Sequence, residues 1–207
     1  MPFSSAYAPD TPVVPGDHRA IEQWKQGAPA LHNFMLQYSG CSFANGLYRV
    51  HAVSEIQKWT RICVEAFPKF ANRVLCFSSS WFGDQFALDS KRTERGEYQV
   101  LLFEVGTGKA LQIPATFNSF HDIELTQDQE SILLISLFRA WTASGGATPR
   151  RDQCVGYKIP PFLGGKQEDI SNLENTDMEV YWSISGQLAS QAKGLAPRIR
   201  VDGVKID

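Results

Sequence analysis

Four short apolar or β-branched runs follow one another through the middle of the chain, and a few turn-forming residues divide each run from the next. They are "RVLCF" (73–77), "DQFALD" (84–89), "YQVLLFEV" (98–105) and "KALQI" (109–113). Connections this short cannot hold the crossover that parallel strands need, so the runs predict an antiparallel meander. The "GTG" between the last two runs predicts a tight hairpin.

Capping signals predict the helices on either side of this meander. A Ser or Thr followed three positions later by Glu or Gln satisfies two free backbone N–H groups at a helix start. Three such pairs are taken as helix starts: Ser54 with Gln57, Thr126 with Gln129, and Thr176 with Glu179. The first predicts a helix that ends before Pro68, because proline cannot extend the helical hydrogen bonds. The second predicts the central buried helix, within "TQDQESILLISLFRAW".

The third pair opens a C-terminal helix near 177–193. At helical spacing, one apolar stripe of this segment is predicted to lie on the core; it contains Val180, Tyr181, Ile184, Leu188 and Ala192. Ahead of the meander, Asp17 and Gly27 delimit another predicted helix. A strand is predicted over 46–53.

These elements predict an α+β fold, with an antiparallel meander sheet flanked by helices and a helical C-terminal subdomain packed on it. Residues 1–16 contain four prolines and predict an extended arm. Residues 17–142 then form one α+β domain. Glycines and a proline in the loop after it mark the best boundary, so 143–207 form the second unit.

The composition is that of a globular protein and argues against two classes of ligand. The 207 residues are 43% hydrophobic, with five Trp and thirteen Phe, which is enough to bury a substantial core. A net charge of -2 without a Lys/Arg stripe argues against direct binding of nucleic acid. No run approaches the roughly 18 apolar residues of a membrane span, and the N-terminus lacks a signal-peptide pattern. We therefore expect a cytoplasmic protein without membrane contact.

No motif predicts catalysis, a metal or another cofactor. The cysteines Cys41, Cys63, Cys76 and Cys154 are far apart and predict free structural thiols. "FHDIE" places His121 next to Asp122, but a metal site needs further ligands and the other histidines are isolated. A small metal-dependent hydrolase that uses His121 and Asp122 is kept as the alternative to a protein without enzymatic activity.

Acidic residues are concentrated ahead of the C-terminal helix, at Glu168, Asp169, Glu174, Asp177 and Glu179. Their charge would repel phosphate, so Gly164 and Gly165 predict a fixed turn rather than an anion cradle, and Trp182 predicts core packing. Two interpretations stay open. In the first, Asp177 and Glu179 stabilise the N-terminus of the helix through its dipole, and the other carboxylates are only solvated. In the second, the carboxylates form an acidic face for a basic partner.

The C-terminal part resembles the C-terminal domain of immunity proteins that accompany type VI secretion toxins. The resemblance rests on Gly156 to Lys158, Pro160 to Gly165, Asn172 to Glu174, Val180 to Trp182, and Gln187 with Leu188. Upstream, "EAFP", "WFGDQFALD", "VLLFEVGTGKALQIP" and "SFHDIEL" resemble the GAD-like domain that precedes it. The whole is similar to the wider Smi-like (SUKH-type) immunity superfamily.

The resemblance implies a protein that binds and neutralises a cognate type VI secretion toxin, with a DNase as the favoured partner, as a monomer in a one-to-one complex. A nuclease carries basic residues for phosphate, and an acidic face would match that charge. The contact residues would be Glu168, Asp169, Glu174 and Asp177, with Asp84 and Asp89 as weaker candidates. A regulatory scaffold of the same fold, which binds a partner other than a toxin, stays open.

Overall fold

A six-stranded antiparallel sheet forms the centre of the protein in a computed structural model that describes residues 2–16, 18–167 and 169–194. The strands lie side by side in chain order: β1 (Ser42–Phe43), β2 (Tyr48–Val50), β3 (Val74–Ser80), β4 (Gln85–Glu94), β5 (Glu97–Glu104) and β6 (Lys109–Thr116). The four predicted runs form β3 to β6, so the meander is confirmed. The hairpin at 106–108 is confirmed as well.

Helices surround the sheet, and a two-stranded antiparallel ribbon precedes the last of them. The helices are α1 (Phe3–Ala6), α2 (His18–Glu22), α3 (Pro29–Tyr38), α4 (Val53–Ala66), α5 (Phe117–Ser119), α6 (Leu125–Gln127), α7 (Gln129–Leu133), α8 (Ile135–Ala143) and α9 (Met178–Gly194). A π-helical turn (Phe120–Glu124) joins α5 to α6. The ribbon consists of β7 (Gln153–Tyr157) and β8 (Leu173–Asp177). The predicted α+β fold with a C-terminal helix is confirmed.

The sheet is buried on both faces. Because side chains alternate along a strand, Phe86 and Leu102 join one hydrophobic cluster, which includes residues of α3 and α5. Their neighbours Ala87, Leu101 and Phe103 join a second cluster, together with residues of α4 and α9. This two-sided burial explains why the run in β5 is continuously apolar instead of alternating.

The N-terminal segment differs from the predicted extended arm, because it starts with the helical turn α1 and packs into the core. Phe3 and Tyr7 are buried. The Phe3 backbone N–H donates to Asp122 Oδ1 at 2.8 Å, and the Tyr7 hydroxyl donates to the Leu125 carbonyl at 2.7 Å. The aromatic side chains of this segment therefore fix it to the helical region that follows β6.

The three predicted capping pairs are wrong. At each helix start a carboxylate, and not the predicted Ser or Thr hydroxyl, accepts a backbone N–H. Glu55 accepts the Ala52 N–H at 2.9 Å at the start of α4, Asp128 accepts the Ser131 N–H at 3.3 Å in α7, and Asp177 accepts the Val180 N–H at 2.9 Å in α9. Thr126 instead donates to a backbone carbonyl of the preceding turn, and Thr176 lies in β8. Asp17, the predicted cap of α2, lies outside the described residues.

The predicted central buried helix is also wrong. Its segment is broken at Leu134, which has a φ of 52° and a left-handed backbone conformation. The break separates α7 from α8, and much of both helices is exposed or half-buried. These helices pack against the turn between β3 and β4, where Trp81 Nε1 donates to the Leu133 carbonyl at 2.8 Å and the Trp81 ring contacts that of Phe138.

The C-terminal helix α9 buries a different stripe from the predicted one. Val180 and Ile184 are 51% and 53% exposed. The buried positions are Met178, Tyr181, Trp182, Ser185, Gly186 and Ala189. The buried stripe differs from the predicted one because Trp182, the largest side chain of the segment, packs into the hydrophobic cluster on the sheet that contains Ala87, Leu101 and Phe103.

Two further sequence predictions concern cysteines and membranes. All four cysteines are free and buried, as predicted. Among the helices in the described ranges, none combines the length and the apolar character that crossing a membrane requires.

Candidate partner-binding surface and cleft

The acidic segment ahead of α9 does not form one continuous face, because its carboxylates have separate roles in the fold. Asp169 Oδ1 accepts from the Ser171 backbone N–H at 2.9 Å and from its hydroxyl at 2.6 Å. These hydrogen bonds lower the pKa of the Asp169 carboxyl and cap a 3-10 turn at Ile170–Asn172. Glu168 lies outside the described residues.

Glu174 and Asp177 both lie on β8 but on opposite faces, because they are three positions apart in a strand. Asp177 caps α9, as described above, and the next acidic residue, Glu179, pairs with Lys58 Nζ at 2.5 Å. Glu174 is exposed opposite Gly156 of β7. Within the described part of this segment, Glu174 is thus the exposed carboxylate without a structural contact of its own, and its role in binding stays a prediction.

The two weaker candidates, Asp84 and Asp89, are both buried. Asp89 is 0% exposed and receives two hydrogen bonds from Arg73, from Nε to Oδ1 and from Nη2 to Oδ2, each at 2.6 Å. Asp89 therefore contributes to stability rather than to a solvent-facing surface. Asp84 is 8% exposed and lines a cleft.

The Gly-Gly pair forms a fixed turn in this structure. Gly164 has a φ of 96°, in the left-handed region that favours glycine. A Cβ on Gly165 would lie 1.7 Å from the Ile159 carbonyl oxygen. Asn172 closes the loop, donating from Nδ2 to that same carbonyl at 2.9 Å. Only a residue without a side chain fits at position 165.

The cleft that Asp84 lines has a volume of about 520 Å³ and lies between the sheet, the α7–α8 break and the C-terminal elements. Its charged residues are Asp84, Glu104, Glu130 and Lys109, and its aromatic residues are Phe82, Tyr157 and Tyr181. We call it the acidic cleft, because three carboxylates face one ammonium group.

Each carboxylate of the acidic cleft has a neutral hydrogen-bond donor. The Ser80 hydroxyl donates to Asp84 Oδ2 at 3.1 Å, and the Thr107 hydroxyl donates to Glu104 Oε2 at 2.6 Å. The Ser136 hydroxyl donates to Glu130 Oε2 at 2.6 Å. Burial, together with the charge of Glu104, raises the pKa of Asp84 to about 8. Ionisation of Asp84 in this cleft therefore costs free energy unless a cation lies nearby.

His121 and Asp122 both have roles in the fold. The two ring nitrogens of His121 are engaged, Nδ1 with the Phe117 carbonyl at 2.8 Å and Nε2 with the Tyr48 hydroxyl at 2.9 Å. Burial lowers the pKa of His121 to about 3, and Asp122 accepts the Phe3 N–H. Among the described residues, no three His, Cys, Asp or Glu side chains are grouped so that they could hold a metal ion. Neither side chain is placed for metal chemistry.

The acidic cleft could not be predicted from the sequence. Its three acidic residues are far apart in the chain: Asp84 lies in the turn between β3 and β4, Glu104 at the end of β5 and Glu130 in α7. No sequence motif links such positions. Asp84 is the residue of this cleft that the sequence-based prediction named, as a weaker candidate for the contact surface.

Comparisons with known proteins agree with this architecture. The solved structure described as "Crystal structure of Atu4351 from Agrobacterium tumefaciens" superposes with a TM-score of 0.60 at 17% identity, covering 88% of this chain and 86% of that one. At this identity the likeness shows the fold alone. No curated protein matches the chain.

A family model described as "T6SS immunity protein Tdi1, C-terminal" matches residues 116–189, from the end of β6 into α9. The match begins before the boundary predicted at 142/143, and that boundary stays a prediction, as does the GAD-like character of the upstream part. The acidic cleft joins both parts, since Glu130, Tyr157 and Tyr181 lie inside the matched range and Asp84 and Glu104 outside it. Residues 116–189 of this chain are thus similar to the C-terminal domain of the type VI secretion immunity protein Tdi1.

Proposed function

We propose that this protein is an immunity protein that binds and neutralises a cognate type VI secretion effector. The family match over residues 116–189 is the observation that carries the proposal. Neutralisation occurs by formation of a protein–protein complex, with no catalysis by this chain. The complex is one-to-one and forms in the cytoplasm.

The effector is a nuclease in this proposal. A nuclease binds phosphate through basic residues, and the surface that covers such a site is complementary when it carries carboxylates. Two features of the chain support this choice: the exposed Glu174 on β8 and the three carboxylates of the acidic cleft. Both belong to or border the matched domain.

Co-expression with the toxin encoded by the neighbouring gene tests the proposal. The toxin alone is expected to stop growth and to degrade plasmid DNA, and this chain is expected to prevent both effects and to co-purify with the toxin. A catalytically inactive toxin is the matched control for the binding step. Growth arrest that is equal with and without this chain would overturn the immunity function.

If the toxin stops growth without degrading plasmid DNA, and this chain still prevents the growth arrest, the effector is not a DNase and the immunity function stands. Capture of another protein, with no binding of the neighbouring toxin, would instead support the regulatory scaffold. A complex of other than one-to-one mass, measured by light scattering, would correct the stoichiometry alone.

A further inference from the structure

We infer that the acidic cleft receives an arginine side chain of the effector, whose guanidinium pairs with Asp84. This inference rests on the proposed function and adds to it the chemistry of one contact. It assigns the cleft a role that neither the exposed acidic segment nor the family match specifies.

The first observation is that the cleft carboxylates have no cationic partner. Two buried or half-buried carboxylates elsewhere in the described ranges have such a partner: Asp89 pairs with Arg73, and Glu55 pairs with Arg151. None of the ion pairs among the described residues includes Asp84, Glu104 or Glu130. A nearly buried carboxylate is normally paired with a cation, and Lys109, the basic residue among those that line the cleft, forms none of these ion pairs with Asp84.

The second observation concerns Asp84 itself. Its side chain is more than nine-tenths buried, and it lines the cleft. Ser80 donates to Oδ2, but no described residue donates a hydrogen bond to Oδ1. Oδ1 is not fully enclosed by the protein, so it is accessible from the cleft, where an N–H group of a ligand would donate a hydrogen bond to it.

The aromatic lining favours arginine over lysine. Phe82, Tyr157 and Tyr181 form walls of the cleft next to Asp84. A planar guanidinium stacks on aromatic rings while it donates two hydrogen bonds to a carboxylate, whereas an ammonium is a strongly hydrated point charge. A cleft of about 520 Å³ has room for one such side chain.

Charge neutralisation also predicts how binding depends on pH. Burial raises the pKa of Asp84 to about 8 in the free protein, so the carboxyl must lose its proton to pair with a cation. Binding of a guanidinium therefore becomes tighter as pH rises from about 6 to about 9.

The other titratable groups that face Asp84 are Glu104 on β5, Lys109 on β6, Glu130 on α7, Cys154 and Tyr157 on β7, and Tyr181 on α9. Burial raises the pKa of the Cys154 thiol to about 12 and raises those of both tyrosines, so these three groups keep their protons over the same range. Their protonation does not change while Asp84 titrates.

The test uses the full chain, with N-acetyl-arginine amide as the probe and N-acetyl-citrulline amide as its uncharged counterpart. We expect the arginine probe to shift the backbone amide resonances of Gly106 and Thr107, at the cleft, in a saturable way. The affinity should rise between about pH 6 and about pH 9. Asp84→Asn should weaken it roughly tenfold or more, since one partner of a buried charge pair is removed.

Glu94→Gln is the matched control, because Glu94 is exposed at the opposite end of the β4–β5 hairpin. It should leave the affinity unchanged. Resonances far from the cleft report whether Asp84→Asn keeps the fold, and Glu130→Gln, on the exposed rim, provides a second variant. Equal binding of citrulline, or equal affinity in both cleft variants and the wild type, would overturn the inference. Equal binding of a lysine probe would overturn the choice of arginine.

The complex with the effector separates this inference from the proposed function. If the wild-type chain binds the neighbouring toxin and Asp84→Asn binds it equally well, the effector does not use the cleft, and the immunity function stands. If the wild-type chain fails to bind the toxin, the immunity function is lost, and the probe titration still decides the chemistry of the cleft.

Discussion

The indole of Trp182 donates a hydrogen bond from Nε1 to the Gly83 carbonyl oxygen at 2.7 Å. This bond joins α9 to the turn between β3 and β4. Gly83 has a φ of 82°, and a Cβ there would lie 2.8 Å from Cys154 Sγ, so the turn accepts only glycine. The segment matched by the immunity-family model is thereby hydrogen-bonded to the sheet through a buried aromatic side chain, which is 1% exposed.

Trp182→Phe is expected to lower the free energy of unfolding by about 3 kcal/mol, because it leaves the buried Gly83 carbonyl unpaired and opens a small cavity. Urea denaturation measures the loss. Trp24→Phe is the matched control, since Trp24 is only half-buried, and it should cost less than about 1 kcal/mol. Equal losses in the two variants would contradict a special role for the Trp182 bond.

The meander and the fold class could be predicted from the sequence because both depend on local signals. Strand content and short links fix the order of β3 to β6, and they act within a few residues. Helix starts were less well predicted because several polar residues compete to cap one helix end. At α9 the helix start is capped by Asp177, which accepts the Val180 N–H, instead of by Thr176.

The buried face of α9 and the acidic cleft could not be predicted in the same way. Helical periodicity defines an apolar stripe, but the packing of Trp182 decides which stripe is buried. The cleft forms only where residues 82–111 meet residues 130–181, and nothing in the sequence indicates that these two segments lie together. Asp84 was predicted as a weaker candidate for a contact surface, whereas tertiary packing buries it, because distant segments of the chain surround it.

The Arg73–Asp89 pair provides a test of buried charge pairing. Burial raises the pKa of Asp89, but the hydrogen bonds from Arg73 and from the Lys91 N–H outweigh it and hold that pKa below its usual range. Arg73→Ala should lower the free energy of unfolding at neutral pH by about 3 kcal/mol, because the carboxylate is left buried and unpaired.

The pH dependence of this effect follows from the lowered pKa. The stabilisation is present above the unfolded pKa of about 4 and is lost as pH falls through the lower folded value. The difference between Arg73→Ala and wild type, measured by urea denaturation, should therefore shrink in acid. The double variant R73M/D89L should recover most of the loss, and a double variant no more stable than Arg73→Ala would refute the explanation.

Asp84 predicts a pH dependence of the opposite sign. Its folded pKa of about 8 lies above its unfolded value, so folding takes up a proton between the two, and stability falls as pH rises through that window. Asp84→Asn removes this contribution. The free energy of unfolding of the variant minus that of the wild type should rise by about 1 kcal/mol per pH unit between about pH 5 and about pH 8. A difference that is flat with pH, as expected for Glu94→Gln, would show that Asp84 is not buried as an acid.

Glu174 offers the clearest test of the exposed acidic segment. Reversing Asp169 would also remove the cap on its 3-10 turn, whereas Glu174 is exposed and has no such contact to lose. If Glu174 faces a basic effector, Glu174→Lys should slow association several-fold at low ionic strength, because long-range attraction is turned into repulsion. The effect should fade at high salt, where charges are screened over a few ångströms.

Stopped-flow measurement of the association rate at both salt concentrations tests this prediction, with Glu94→Lys as the control for net charge. An equal slowing by Glu94→Lys would assign the effect to net charge, and salt-independent association of the wild type would exclude electrostatic steering by this segment.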